Sequence, residues 1–305
     1  MPHFSIVIPV FNAADTLHET LSAIRAQTCN AWEAILVDDG STDGSRDLAR
    51  AEARDPRIRL MQNPGKGPSA ARNHGAAQAR GAVIAFCDAD DLWQPDKLAR
   101  VAAILSRTEV AAVYGKVAFY PTGNTGPLRL STVPGTALTI PMLLAENPVC
   151  TMSNLSIRTA AFRALGGLDE TMVHNEDLDL LVRLVAAGAT VTGDDHLHLR
   201  YRTDARGLSS SLARMRAGRQ EVLRRAALMG YRTENRQEAV FLRYLTRRAL
   251  RMDDGAGDAF RFAIEGLAKA PAAYLTPARR GVPTATAALL APLLPKPLRR
   301  ALFAA

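Results

Sequence analysis

Residues 81–91 read GAVIAFCDADD. The first six are small and apolar, which reads as a short, fully buried strand. Three carboxylates then fall within four positions, at Asp88, Asp90 and Asp91. Like charges this close repel one another. One reading is a solvated turn, since Asp accepts orphan backbone N–H groups at strand ends and helix N-caps. Asp91 is then expected to cap or lead into the next helix, in LWQPDKLARVAAIL. The other reading is a divalent cation, because hard cations take oxygen ligands and Mg²⁺ is held by one or two carboxylates plus substrate phosphates. The rest of the chain has to decide between them.

Upstream, FSIVIPV (residues 4–10), AILV (34–37) and RIRLMQ (57–62) read as three further strands. Between them lie helical segments: DTLHETLSAIRAQ, with Leu17, Leu21 and Ile24 at helical spacing and Asp15 or Thr16 as N-cap, then SRDLARAEAR and AARNHGAAQA. Near-continuous apolar strands alternating with helices predict an α/β domain with a mostly parallel sheet. Ligands of such sheets bind at the carboxyl ends of the strands. Three of these ends, PVFN, DDGSTDGS and DADD, are therefore expected to open onto one crevice.

Downstream, AAVYGKVAFY (111–120) reads as a strand and residues 121–136 as a turn-rich mobile loop. A helix in TIPMLLAEN, a strand in SNLSIR and a helix in TAAFRAL follow. NEDLDLLVRLVAAG is an amphipathic helix stopped by Gly188. From about residue 211 the pattern is helical and Arg-rich.

The 305 residues, 48% of them hydrophobic, suffice for one large domain or two smaller ones. The N-terminus lacks the features of a signal peptide, and no apolar run reaches the length of a membrane span. Cys29, Cys87 and Cys150 form no C-x-x-C pair or zinc spacing, so a cytoplasmic, reducing setting is expected. The net charge of +8 is uneven: from residue 201 onward there are 20 Lys and Arg against 8 Asp and Glu. That half suits an anionic partner or a set of solvated helix faces.

The loop chemistry narrows the function. Asp38 and Asp39 end a strand without a basic sequence neighbour, and a carboxylate there can accept from a ligand N–H such as the imide of uracil. The loop NPGKGPSAARNHGAAQARG supplies Lys66, Arg72 and Arg80, with Arg72 early in a helix whose positive end favours anions. It is neither a Walker loop nor a dinucleotide fingerprint. A base reader, a cationic phosphate contact and a carboxylate pair on adjacent strand ends describe a nucleotide-diphosphate site.

Five segments in register, SIVIPVFNAADTLHETLSAIRAQT, ILVDDGSTDGS, GPSAARNHGAAQARG, IAFCDADD and NEDLDLLVRL, resemble the consecutive motifs of family 2 glycosyltransferases over roughly residues 4–205. The resemblance implies the GT-A fold, with a Rossmann-like, mostly parallel sheet flanked by helices over residues 1–210. Its nucleotide-sugar half would be about 1–115 and its acceptor half about 116–210. A helical, basic extension would occupy 211–305. It implies an enzyme that transfers a sugar from a nucleotide diphosphate, most often uridine-based, to a glycan or lipid-linked acceptor, with inversion at the anomeric carbon. That activity belongs to cell-envelope polysaccharide synthesis.

The resemblance also implies roles. Pro9, Phe11 and Asn12 border the nucleoside; Asp39 reads uracil, with Asp38 its close rival; Arg72 binds donor. Asp88, Ala89 and Asp90 form the D-x-D motif. Asp90 contacts Mn²⁺ or Mg²⁺, and Asp88 binds the ribose or reaches the metal through water. The cation would relieve the repulsion among the carboxylates and assist the departing diphosphate. Inversion requires a base on the acceptor side. The start of NEDLDLL supplies it: Asp177, with Glu176 as a neighbour that positions it or binds acceptor. Where the family often has Tyr-Arg-x-His, this chain reads YRTD, so Tyr201 and Arg202 match while Asp204 replaces His, and Arg202 or Arg206 is expected to contact phosphate. His196 and His198 are further candidates.

Three other readings fit less well. A sugar nucleotidyltransferase needs a Gly-rich first loop with Arg and Lys, which PVFNAADT lacks. An inactive nucleotide-sugar binding protein would not need Asp88, Asp90 and Asp177 together. A nucleic-acid binder is not expected, given the sparse aromatics of the basic half. The final TATAALLAPLLPKPLRRALFAA joins leucines to Lys296, Arg299 and Arg300, and Pro292, Pro295 and Pro297 forbid one continuous helix. It is expected either to touch an anionic membrane, placing the protein at the inner face of the plasma membrane, or to brace the domain.

Overall fold

The apolar runs at the start of the chain become adjacent parallel strands. A computed structural model describes residues 3–121, 129–203, 211–252 and 254–303. The chain divides into two units, residues 1–138 with 148–208, and residues 139–147 with 209–305.

The first unit runs β1 (Phe4–Val10), α1 (Leu17–Arg25), β2 (Trp32–Asp38), α2 (Ser45–Glu52), β3 (Ile58–Gln62), α3 (Pro68–Ala77), β4 (Val83–Phe86), β5 (Leu92–Trp93), α4 (Lys97–Leu105), β6 (Val110–Pro121) and β7 (Arg129–Leu130). In the second unit lies α5 (Ile140–Ala145). The first unit then continues through β8 (Ser156–Arg158), α6 (Thr159–Ala164), α7 (Glu176–Ala186) and β9 (Thr190–Thr203). Among the described residues these strands form one nine-stranded sheet, ordered β3-β2-β1-β4-β8-β6-β9-β5 with β7 on β6.

The pairs β3-β2, β2-β1 and β1-β4 are parallel, with Val10 opposite Asp38 and Val7 opposite Phe86. The carboxyl ends of β1, β2 and β4 therefore meet at one edge. Every residue of β2 and β4 is buried, as continuous apolar strands covered on both faces should be. Beyond β4 the sheet is mixed: β8 is antiparallel to β4 and β6, β6 and β9 are parallel, and β5 is antiparallel to β9.

Three local expectations change. Leu92 and Trp93 do not open a helix; they pair with Arg200 and Leu199, and α4 starts at Lys97 after the N-cap Asp96. Asp91 is consequently not a helix cap but a fully buried carboxyl under the strand edge. Part of the loop expected over 121–136 is held to β6, where the Ser131 N–H donates to the Val117 carbonyl at 2.8 Å.

His196 and His198 are drawn into a framework cluster on β9. Asp194 accepts from Arg100 Nε at 2.6 Å and lies 3.0 Å from both His198 Nε2 and His196 Nδ1. Burial opposes its charge, but the hydrogen bonds from His198, Arg100 and His196 prevail and hold the carboxyl well below the usual range. The His198 imidazole lies against Gly115, where a Cβ would overlap the ring.

The second unit adds α8 (Leu212–Leu228), α9 (Asn235–Ala249), α10 (Ala256–Lys269), α11 (Pro271–Leu275), α12 (Ala278–Leu290) and α13 (Lys296–Phe303). Its core gathers Leu242, Leu245, Phe262 and Tyr274. Two of its arginines are buried. Arg219 donates to the Leu144 carbonyl of α5 at 2.6 Å and to Glu238 at 2.7 Å, and Arg243 donates to the carbonyls of Ala273 and Tyr274. Among the described residues no helix is long and apolar enough to cross a membrane.

Gly115→Ala is expected to lower stability by about 1–3 kcal/mol, the usual cost of overpacking a filled interior. Urea unfolding measures it, and a wild-type midpoint would contradict the close packing on His198.

Candidate active site

The first two strand-end loops are laced together by short polar side chains. Asn12, at φ +48°, accepts at Oδ1 from the Thr42 N–H at 2.9 Å, and its own N–H donates to Ser41 Oγ at 3.2 Å. The Ala13 N–H donates to Ser45 Oγ at 2.7 Å, and the Ala14 N–H to Asp43 Oδ2 at 3.1 Å. Pro9 is half-buried at the end of β1, and Phe11 beyond it is 59% exposed.

Burial separates the two adjacent acids at the end of β2, Asp38 within the strand and Asp39 just after it. Asp38 is 1% exposed and accepts from the Ser41 N–H at 3.2 Å, which closes its own turn. Asp39 faces outward. It accepts from Asn63 Nδ2 at 2.6 Å and from the Gly67 N–H at 2.9 Å, which joins the β2 loop to the start of α3.

The D-x-D loop is held from behind by Ser153. The Asp88 N–H donates to Ser153 Oγ at 2.7 Å, while the Ser153 carbonyl accepts from Trp93 Nε1 at 3.1 Å and Lys97 Nζ at 2.6 Å. Lys97 is fully buried against the Trp93 ring, and burial brings its ammonium down to about 7. Ala89 is buried between the two motif acids, Asp88 and Asp90, both half-exposed. Arg202, at the end of β9, clasps the loop from the other side: Nε donates to the Asp90 carbonyl at 3.3 Å, its N–H to Asp91 Oδ1 at 3.3 Å, and its guanidinium to Glu19 at 2.7 Å. Asp204 and Arg206 lie outside the described residues.

Arg72 joins this loop to the start of α7. Its guanidinium, only 6% exposed, donates to Asp88 Oδ1 at 2.6 Å and to Glu176 Oε1 at 3.1 Å. The next residue, Asn73, fixes the turn that leads to α7: Nδ2 donates to the Leu168 carbonyl at 2.8 Å and Oδ1 accepts from the Leu168 N–H at 2.9 Å. Arg183 of α7 grips the same turn through the Leu165 and Gly167 carbonyls. Glu176 and Asp177 thus begin a helix whose position is set by two neighbouring residues of α3. One guanidinium serves Asp88 and Glu176, and Asp177 adds a further negative charge. Burial and Asp177 outweigh Arg72 and push the Glu176 carboxyl up to about 7.

Asp88, Asp90, Arg72, Glu176, Asp177 and Arg202 therefore converge through direct or shared contacts. Arg72 lies beneath the acids that it pairs. Ser153, Lys97 and Asn73 escaped the sequence reading. Each acts on a segment remote in sequence, and the only local trace is a Lys placed where a helix should bury its apolar face.

The donor chemistry fits a hard divalent cation. The loop offers carboxylate oxygens from Asp88 and Asp90. Burial, then Asp88 and Asp90, push the Asp91 carboxyl well above the usual range. Among the described residues no three His, Cys, Asp or Glu side chains are grouped to hold a metal. Two carboxylates suit a cation whose other ligands come from phosphate and water.

Residues 5–166 match the family described as Glycosyl transferase family 2. Glycosyltransferase AglE of Haloferax volcanii is 31% identical over 197 residues, 63% of this chain and 64% of its own length. The PGL/p-HBAD biosynthesis glycosyltransferase of Mycobacterium tuberculosis is 32% identical over 215 residues, 69% of this chain and 80% of its own. S. aureus TarS 1–349, in complex with UDP, shares the fold with a TM-score of 0.61 at 18% identity, over 96% of this chain and 92% of that one.

The raised Glu176 carboxyl predicts a pH signature. The folded protein keeps a proton that the unfolded chain releases at about 4.5, so this contribution to stability is full below about 4.5 and lost as pH rises through about 7. Glu176→Gln is expected to gain stability relative to wild type between pH 5 and pH 8, in EDTA, by urea unfolding. A pH-independent difference would contradict the raised carboxyl.

Proposed function

The chain belongs to glycosyl transferase family 2, and from that premise we propose that this glycosyltransferase moves a sugar from a uridine diphosphate donor to a hydroxyl of a glycan or lipid-linked acceptor, with inversion. The observation that carries the reading is the Arg72 bridge, which ties the D-x-D acid Asp88 to the pair Glu176–Asp177 at the N-terminus of α7.

Asp39 is the base reader. It is the partly exposed acid of the pair, within reach of a ligand N–H, whereas Asp38 is buried at 1% exposure. The exposed Phe11 ring flanks the base. Asp90 and Asp88 would hold Mn²⁺ or Mg²⁺ together with the diphosphate, and that cation would supply Lewis-acid assistance to the departing nucleoside diphosphate. Ser153, Lys97 and Arg202 keep the two acids in place before the donor arrives.

Asp177 takes the proton of the acceptor hydroxyl as its oxygen attacks the anomeric carbon from the face opposite the diphosphate. The C1–O bond to phosphate breaks, and the nucleoside diphosphate leaves with the electron pair. Asp177 suits this role better than Glu176, whose Oε1 is held by Arg72 and whose carboxyl is pushed up to about 7 by burial and Asp177. Glu176 is the positioning residue.

UDP is expected to stabilise the protein far more with Mn²⁺ than in EDTA, by about 2.7 kcal/mol at a hundredfold excess over Kd. Asp90→Ala should abolish the metal-dependent part. Asp177→Asn should bind UDP normally and lose about 10² in turnover. Equal stabilisation in EDTA would overturn the metal assignment, and an active Asp177→Asn beside an inert Glu176→Gln would move the base by one residue.

A further inference from the structure

The C-terminal segment packs the wrong way round for a structural brace. In α12 the face turned inward is small: Gly281, Thr284, Ala285 and Ala288, continued by Ala291 in the 3-10 turn that follows. The opposite face carries the large apolar side chains, with Val282 47%, Leu289 40%, Leu290 48% and Leu293 79% exposed. Positions 282, 289, 290 and 293 fall on one stripe at helical spacing. In α13, Leu298 and Leu302, one turn apart, are likewise exposed. A helix that served only to cover the core would bury its leucines and show its alanines, since burial of a large apolar side chain is the larger gain. Apolar side chains gathered along one exposed face mark an interaction surface.

The charge around this face selects the partner. Residues 278–305 hold five basic side chains, Arg279, Arg280, Lys296, Arg299 and Arg300, and no Asp or Glu; of these, Lys296 pairs with Asp254 at 2.6 Å, which leaves the excess positive. Residues 211–305 together carry 18 Lys and Arg against 7 Asp and Glu. A second copy would bring the same positive charge to a self-complementary contact, so its face would repel its twin. The break at Pro292 and Pro295 prevents a spanning helix and leaves two short amphipathic pieces of the kind that lie in an interface.

We propose that α12, α13 and the turn between them form a docking face for the anionic surface of a lipid bilayer. The leucines enter the boundary between headgroups and acyl chains, and the flanking Arg and Lys pair with acidic headgroups. The inference does not rest on the assigned transfer reaction, because it concerns where the protein stands and not which bond it makes.

Cosedimentation of the full chain with vesicles tests it. The protein should bind vesicles of phosphatidylglycerol and phosphatidylcholine at low salt, ignore vesicles of phosphatidylcholine alone, and be released as salt rises. The triple variant Leu289→Ser, Leu293→Ser, Leu298→Ser should bind at least about tenfold more weakly while keeping the wild-type unfolding midpoint, because the altered side chains are exposed. Arg279→Glu with Arg280→Glu should weaken binding comparably. The proposal is overturned if wild type ignores anionic vesicles at low salt, or if the triple variant binds them as well as wild type. It is also overturned if wild type sediments as an oligomer that the leucine substitutions dissolve, since a second copy then covers the face.

Discussion

The arrangement of the candidate active site depends on a single guanidinium. Arg72 is buried and shared by two carboxylates from distant parts of the chain, Asp88 after β4 and Glu176 at the start of α7. A buried charge without partners is costly, and so is a largely buried carboxyl such as Glu176 without a cation beside it. The three groups therefore stabilise one another only when β4, α3 and α7 stand in their native relation. Asn73, one residue on, fixes the turn before α7, so that α3 sets both the position of that helix and the charge on it.

Around this centre the polar contacts form layers. Ser153 and Lys97 hold the D-x-D loop from within, Arg202 clasps it at the rim, and the Asn12–Thr42 and Ala13–Ser45 contacts draw the first two loops into one wall. Hydrogen bonds within the chain itself thus fix the carboxylates and loops of the candidate site, and fixed charges and dipoles are those that contribute most to catalysis.

Local signals made much of this legible. Continuous apolar strands and intervening helices gave the parallel half of the sheet, and the loops at the ends of β1, β2 and β4 carried the resemblance to the family. The parts that escaped depend on long-range contacts. Nothing near Leu92 in sequence announces its pairing with Arg200, so Asp91 read as a helix cap when it is a buried carboxyl. Lys97 drew no reading of its own, because its partner Ser153 lies far along the chain. Asp38 and Asp39 are chemically identical, and only burial separates them, Asp38 ending β2 inside the protein and Asp39 following it at the partly exposed start of the loop. In α12 the apolar count was visible, but not that alanines would take the inner face and leucines the outer one.

The central claim is that Arg72 couples the D-x-D loop to the acids of α7. A double-mutant cycle on Arg72→Met and Glu176→Gln, read as unfolding free energy in EDTA, tests it most directly. Arg72→Met leaves two carboxylates without their shared cation, and adding Glu176→Gln removes one of them. The double variant should therefore be more stable than Arg72→Met alone, with an interaction energy of about 1 kcal/mol or more. Additivity within about 0.3–0.5 kcal/mol would show that the two sites are independent and would contradict the bridge on which the assignment rests.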